Sequence, residues 1–175
     1  MMGACDVNGF ILESCEVIKT TGTGPESGTV NTDRFEMWLE QKLCPTLGRY
    51  GFGEPRSLVV MDNATIHHSD RVKKLIEDRG AKLVFLPPYS PDLNPIELFF
   101  GQYKCFLKRI KREHNWVAAH VIALQEAVTP EKARAFFYHC GLPLKPLLNE
   151  DNVYEELEEE EEELATIAVL LLLKR

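Results

Sequence analysis

Two acidic residues stand out because each follows a segment that would fix its position. Asp62 ends the apolar run "SLVVMD", and Glu97 follows the proline-rich stretch "PPYSPDLNPI", with thirty-four residues between the two acids. Carboxylate oxygens are hard ligands of the kind that Mg²⁺ and Mn²⁺ prefer, and water and phosphate oxygens usually complete the coordination. If the fold brings the two side chains together, the pair predicts a site for a divalent metal ion.

Each acid also has a purely structural interpretation. An aspartate at the end of a strand often caps the turn that follows. In "LNPIE", Asn94 can cap a helix whose first residue is Pro95, and Glu97 at the third helical position would complete a capping box. Taken singly, both acids fit these structural roles well, so the metal-site hypothesis depends on the two converging.

The segment between the two acids predicts a strand, a helix and a second strand. The run "RSLVVMDNA" is typical of a strand buried on both faces, and "AKLVFL" predicts another short strand. Between them, "HHSDRVKKLIEDRG" predicts a helix capped by Ser69 or Asp70 and ended by Gly80. Such a unit makes the two strands parallel neighbours, so Asp62 and Glu97 approach the same edge of the sheet.

The flanking sequence predicts further elements. Asn8-Gly9 lies between two short apolar runs and indicates an antiparallel hairpin. The segment "NTDRFEMWLEQKLCPTL" predicts an amphipathic helix with Asn31 or Thr32 as its cap. After the prolines, three helices are predicted, and the last begins with Thr129 as cap and Pro130 in the first turn.

The charge of the chain is unevenly distributed. The formal net charge is -7, but from Asn149 onward ten acids face only Lys174 and Arg175, so the segment 149–175 carries -8 and the body 1–148 carries +1. The whole-chain charge therefore does not exclude a nucleic-acid partner for the body. We expect 149–175 to form a disordered acidic tail, and its end "LATIAVLLLLKR" to be a packing or partner helix, too short to span a membrane.

The five cysteines form no C-x-x-C pair, which argues against a zinc knot or a disulfide framework and favours a reducing compartment. The amino terminus shows no signal peptide.

The stretch "LVVMDNATIHHS" followed by "LVFLPPYSPDLNPIE" resembles the catalytic core of the mariner-type DDE transposases, in the branch whose last acid is Glu. The resemblance extends from Gly3 to Leu142. It implies a ribonuclease H-like α/β fold, a mixed sheet flanked by helices, over residues 1–148. It also implies metal-dependent cleavage and transfer of DNA strands with Mg²⁺ or Mn²⁺, in which Asp62 is the second acid and Glu97 the third.

The same resemblance suggests roles for other residues. Asn63, His67 and Asn94 match surrounding motif positions and would orient the metal ligands. A basic run would contact DNA phosphates, although a solvated helix face is the alternative: Lys104, Lys108, Arg109, Lys111 and Arg112. The pair His67 and His68 is expected to orient neighbouring groups rather than to bind a metal ion itself. The implied partners are DNA and either a second copy or an intact transposase, without a membrane, and the implied compartment is the nucleus, or the cytoplasm without an import signal.

One departure from the family limits the expected activity. The family's first acid lies on an opening strand upstream of the hairpin, and Asp6 sits in the hairpin turn, so it is not assigned as that ligand. We therefore expect a chain truncated at its amino terminus, a sheet that lacks an interior strand and exposes an edge, and impaired DNA cleavage. The alternative is a non-catalytic nucleic-acid-binding or protein-interaction module derived from a transposon.

Overall fold

The computed structural model describes residues 1–18, 28, 30–142 and 167–172, the last range through its backbone. The body alternates short strands and helices, and three helices follow one another after the proline-rich loop. In chain order the strands and helices are β1 (Met2–Asp6), β2 (Gly9–Glu16), α1 (Thr32–Trp38), β3 (Leu58–Met61), α2 (Asp70–Glu77), β4 (Lys82–Phe85), α3 (Pro95–Ile110), α4 (Trp116–Glu126), α5 (Pro130–His139) and β5 (Ile167–Leu172).

The predicted hairpin is confirmed. Strands β1 and β2 pair antiparallel, and Asp6 faces Gly9 across the turn. Gly9 has a φ of 133°, a backbone conformation that favours glycine. The main-chain N–H of Asn8 donates to Asp6 Oδ1 at 2.8 Å, which closes the turn. The tight turn thus fixes the register of the first two strands.

The predicted strand, helix and strand are also confirmed. Strands β3 and β4 pair parallel, with Met61 opposite Phe85, so both chains leave the sheet at the same edge. Helix α2 connects them, and the Ser69 hydroxyl accepts the Val72 N–H at 3.1 Å as its cap. The residues that follow both strands therefore meet at this edge, as the sequence predicts.

The carboxyl-terminal segment corrects two expectations. The strand order is β2-β1-β5-β3-β4, so Ile167–Leu172 forms a central strand and not a helix. Val169 lies opposite Cys5 in the antiparallel pair with β1 and opposite Val60 in the parallel pair with β3. The expectation that an interior strand is missing and leaves an open edge is wrong, because β5 fills that position. The remaining residues of the expected acidic tail, 149–166 and 173–175, lie outside the described residues.

The helices cover the sheet through an aromatic core. Phe99 on α3 is fully buried and meets Phe10 of β2 edge to face, with the ring centroids 5.3 Å apart. Phe99 also contacts Phe137 of α5 in the same geometry at 6.3 Å. These contacts anchor α3, and with it Glu97 at its amino-terminal end, to the hairpin and to the closing helices.

Helix α1 begins as predicted, because the Asn31 side chain accepts the Arg34 N–H at 3.0 Å. It then continues into a π-helical turn, Leu39–Leu43, and a 3₁₀ turn, Cys44–Thr46, which holds Pro45. Across the part of the chain that the structure describes, no helix has the length and apolar character needed to cross a membrane.

The central position of β5 makes its backbone hydrogen bonds a direct test of the sheet. Val169→Pro removes an N–H donor from an interior strand, so we expect the free energy of unfolding to fall by at least about 2 kcal/mol. Urea denaturation of the purified chain measures this loss. Val169→Ile keeps the donor and serves as the matched control, and equal stability of the two variants would show that β5 does not belong to the sheet.

Candidate functional site

Asp62 and Glu97 line the same cavity, which has a volume of about 410 Å³. The cavity lies where the chain leaves β3, and the proline-rich loop and the start of α3 form its other walls. The structure therefore brings together the two acids that the sequence singles out. A larger cavity of about 720 Å³ lies between β2 and α4, away from both carboxylates.

Asp62 is held by three polar contacts close to its own strand. Its Oδ1 accepts the Ala64 N–H at 3.1 Å and lies 2.8 Å from Nδ1 of His67. The same ring nitrogen is 3.2 Å from the main-chain oxygen of Asp62. With both of these oxygens as acceptors, Nδ1 of His67 is the protonated, donating nitrogen. Asp62 thus points into the cavity with a fixed orientation.

His67 itself is buried against an aromatic ring. Its side chain is fully buried, and the ring centroid lies 4.7 Å from that of Phe35 on α1. Its Nε2 atom is buried and has no hydrogen-bond partner among the described residues. Packing against Phe35 and the hydrogen bonds of Nδ1 at the ring edge leave this ring little freedom, so it acts as a rigid support for Asp62.

The pKa of Asp62 is lowered by these contacts. Partial burial alone would raise the pKa, because it disfavours the charged carboxylate. The hydrogen bond and charge of His67, the N–H of Ala64 and the charge of His68 act in the opposite direction and outweigh burial. Asp62 is therefore an ionised carboxylate at neutral pH.

The loop before Glu97 is stiff over most of its length. The Leu86 N–H still donates to the Met61 oxygen at 2.8 Å, which ties the start of the loop to β3. Beyond Pro87 and Pro88 the chain passes through a 3₁₀ turn, Pro91–Leu93, and α3 begins at Pro95. Prolines restrict the backbone at several points here, so the start of α3 is positioned relative to β3.

Asn94 corrects one expectation. It occupies the position before the helix, but its side chain makes no capping hydrogen bond. The Glu97 N–H, which a side-chain cap would bind, donates instead to the main-chain oxygen of Asn94 at 3.2 Å. The Oδ1 atom of Asn94 is consequently buried and without a partner among the described residues, in the wall of the cavity. An unsatisfied acceptor of this kind is costly, which is typical of a functional position.

The neighbouring residues Asn63 and His68 form a second pair. Nε2 of His68 is hydrogen-bonded to Oδ1 of Asn63, and its ring stacks on Phe85 with centroids 4.3 Å apart. His67 and His68 thus have different partners and do not converge on one point. Within the described residues, no group of three or more His, Cys, Asp or Glu side chains could hold a metal ion.

Asp6 does not line the cavity of Asp62 and Glu97. Its Oδ2 pairs with Nε of Arg56 at 2.9 Å, and the residue lines a different cavity of about 510 Å³. The structure therefore does not bring Asp6 to Asp62 and Glu97.

The basic residues continue along the helix that carries Glu97. All five predicted residues are exposed. Lys104 and Lys108 follow Glu97 by seven and eleven positions, so they share its helical face, and Lys104 lies about 10 Å further along the axis. Lys111 and Arg112 follow the last residue of α3, and the guanidinium of Arg109 lies 4.8 Å from the centre of the Phe106 ring. One positively charged face therefore begins near the carboxylates.

The cysteines contribute no nucleophile to this cavity. All five are free thiols, and burial raises the pKa of Cys15 to about 12 and that of Cys44 to about 11. Protonated, buried thiols are poor metal ligands and poor nucleophiles.

The cavity thus combines a carboxylate at the end of a parallel strand with one in the first turn of a helix that carries lysines. The sequence model of the DDE superfamily endonucleases matches residues 19–120, and the chain belongs to this family. It is similar to the transposable element Tc3 transposase of Caenorhabditis elegans, with 31% identity over 102 residues. That match covers 58% of this chain and 29% of the Tc3 protein, so the chain spans less than a third of that relative. The expected kinship with DDE transposases is confirmed.

One residue of the site was not expected. Tyr89 lies in the wall of the cavity together with Asp62 and Glu97. The signal in the sequence was its place in "PPYSP", where prolines on both sides fix the direction of the residue between them. The unpartnered Oδ1 of Asn94 had no such signal, because an asparagine before a helix normally caps it.

The support that His67 gives to Asp62 has a measurable consequence. In His67→Leu, the hydrogen bond and the charge are removed while burial persists, so the pKa of Asp62 should rise. A carboxyl-carbon NMR titration measures the change, with His114→Leu, at an exposed residue, as control. An unchanged pKa in His67→Leu would contradict this role.

The direction of the pH dependence follows from the same shift. Because the folded-state pKa of Asp62 lies below its unfolded value of about 4, its contacts stabilise the fold above that pH. The stability advantage of the wild type over Asp62→Asn should therefore shrink as the pH falls through the folded-state pKa. Urea denaturation at a series of pH values measures this difference.

Proposed function

We propose that the chain is a DNA-binding domain of ribonuclease H-like fold, derived from a DDE transposase, whose capacity for DNA cleavage and strand transfer is impaired. The observation that supports this proposal is the cavity shared by Asp62 and Glu97 beside the basic face of α3. Family membership supplies the class of chemistry, and the residues of the cavity limit how much of it this chain performs. Action on DNA implies the nucleus as the compartment.

Asp62 and Glu97 suit one divalent ion. Mg²⁺ and Mn²⁺ accept one or two protein carboxylates and complete their shell with water and phosphate oxygens. The lowered pKa of Asp62 keeps that carboxylate ionised at neutral pH. A bound ion would supply charge neutralisation and Lewis acidity towards a DNA phosphate. Asn63 and His67 would keep the surrounding groups oriented through their hydrogen bonds, and Asn94 would hold the start of α3 beside them.

A pair of metal ions is less well supported. Two-metal phosphodiester chemistry needs carboxylates that ligate both ions. Strand β5 is the neighbour of β3 in the interior of the sheet, and its sequence "IAVLLL" contains no acid. The described residues thus offer two carboxylates in this cavity, Asp62 and Glu97, without a third from the adjacent strand.

The metal site can be tested without an activity assay. We expect the purified chain to bind about one Mn²⁺, because one ion saturates two carboxylates. Asp62→Asn and Glu97→Gln should each weaken binding at least tenfold, measured by electron paramagnetic resonance of free Mn²⁺. Asp92→Asn, an exposed acid in the same loop, is the control. Equal Mn²⁺ affinity in all four proteins would refute the site.

The exposed face of α3 supports a path for the DNA backbone. Gly101 lies on this face between Glu97 and Lys104, and a Cβ built on it would meet nothing within 4 Å. Glycine in a helix interior costs roughly 1 kcal/mol relative to alanine, and nothing among the described residues requires it. Close approach of a DNA backbone would explain why residue 101 has no side chain. Lys104 and Lys108, further along the helix, would then contact its phosphates.

Replacing the five basic residues on and directly after α3 by glutamine tests the DNA path: Lys104, Lys108, Arg109, Lys111 and Arg112. We expect weaker binding to duplex DNA and a flatter dependence of log K on log salt, by about 0.9 for each phosphate that is no longer neutralised. Fluorescence anisotropy over a salt series measures both quantities. Lys73→Gln with Lys74→Gln on α2 is the control. If the salt slope is unaltered by the five substitutions, α3 does not bind DNA.

Gly101 separates DNA contact from fold stability. Gly101→Gln should stabilise α3 and yet weaken DNA binding, since its side chain would occupy the approach to the helix. If Gly101→Gln is more stable than the wild type and binds DNA with the same affinity, close approach of DNA at this position is excluded.

A second candidate function is a non-catalytic nucleic-acid-binding or protein-interaction module. The central strand β5 contains no acid, so the metal site has only the two carboxylates of Asp62 and Glu97 among the described residues. This favours the non-catalytic module. Metal-dependent nicking of supercoiled DNA separates the candidates. Equal nicking by the wild type and Asp62→Ala would assign any nicking to a contaminant and favour the non-catalytic module. A second copy or an intact transposase are the protein partners that this module would join.

A further inference from the structure

Tyr89 is exposed to an unusual degree. Its relative exposure is 102%, the highest among the exposed large hydrophobic side chains of the described residues, followed by Phe52 at 73%. An aromatic ring that gains nothing from burial in its own fold is held out at a cost in hydrophobic free energy. Since Tyr89 is one of the residues that line the cavity of Asp62 and Glu97, its exposed ring is available to a partner that binds at that cavity.

The backbone holds this ring in place. Tyr89 has a φ of 57°, in the left-handed region that a bulky residue seldom adopts. Pro88 precedes it, and the hydroxyl of Ser90 donates to the Pro88 oxygen at 3.3 Å across it. Prolines and this hydrogen bond therefore maintain a strained conformation. A strained backbone at Tyr89, kept beside Asp62 and Glu97, indicates that the exposed position of its ring serves binding.

The chemistry of the cavity selects the kind of partner. Asp62 and Glu97 would hold the metal ion that meets a phosphate, so the uncharged ring of Tyr89 in the same lining suits an uncharged base of the strand. Phenol rings stack on the π-face of any base, and such stacking requires that the base is not paired within a duplex.

We propose that Tyr89 is a stacking platform for an unpaired base of the DNA strand that lies at Asp62 and Glu97. This inference rests on the proposed DNA-binding function and adds a substrate class, namely DNA with an unpaired nucleotide at the site, such as a gap or a frayed end. The strand would then run from the basic face of α3 across Gly101 to the carboxylates, with one base turned onto the Tyr89 ring.

The test uses a gapped DNA duplex that carries 2-aminopurine in the gap, bound to the full chain. Stacking quenches 2-aminopurine fluorescence, so the wild type should quench it on binding. Tyr89→Ala should bind the gapped probe about 5- to 150-fold more weakly, with reduced quenching. Its affinity for the fully paired duplex should be unchanged, and Tyr89→Trp should retain both binding and quenching.

Tyr138→Ala, which removes an exposed ring on α5, is the matched control and should behave as the wild type. If Tyr89→Ala binds and quenches the gapped probe as the wild type does, the stacking proposal is overturned. The DNA-binding function stands in that case, provided that the duplex affinity still responds to the substitutions on α3. If the wild type itself prefers the paired duplex, the proposed substrate class is equally overturned.

Discussion

The hydrogen bonds of β5 to both of its neighbours are the constraint on which the rest of the sheet depends. Strand β1 pairs with β2 and β5, and β3 pairs with β4 and β5, so β5 joins the hairpin to the parallel pair. Glu97 is positioned through α3, which packs on the hairpin by the contact of Phe99 with Phe10. Asp62 is positioned through β3. The relation between the two carboxylates therefore depends on β5 as well as on the proline-rich loop, although that strand carries no polar side chain.

The two acids are fixed by different physical means. Asp62 owes its orientation to hydrogen bonds, from the Ala64 N–H and from the buried ring of His67. Glu97 owes its place to covalent stiffness, because prolines restrict the loop and Pro95 starts the helix. Hydrogen bonds tune the pKa as well as the geometry, whereas prolines act on geometry alone.

Local sequence patterns predicted most of the fold, but they could not predict which strands pair when the strands are distant in the sequence. Asn8-Gly9, the apolar run before Asp62 and the Thr129-Pro130 helix start each act within a few residues, and the structure has all three elements. The segment "IAVLLL" has no period that separates strand from helix, and only its pairing with distant strands makes it extended. The prediction that Asn94 caps α3 through its side chain was wrong for a related reason. The local pattern indicates a side-chain cap, but the Glu97 N–H that such a cap would bind donates to the main-chain oxygen of Asn94.

The number of carboxylates decides what the cavity can do. Both neighbours of β3 lack acids, since β4 reads "KLVF" and β5 reads "IAVLLL". The carboxylates of the cavity therefore come from the residue after β3, Asp62, and from the first turn of α3, Glu97. Two carboxylates neutralise one divalent ion, and a phosphate can then approach without net repulsion. A second ion would add two positive charges without protein ligands to hold it. In the proposed function, this charge balance would place a DNA strand over one ion, with the basic face of α3 contacting the phosphates beyond it.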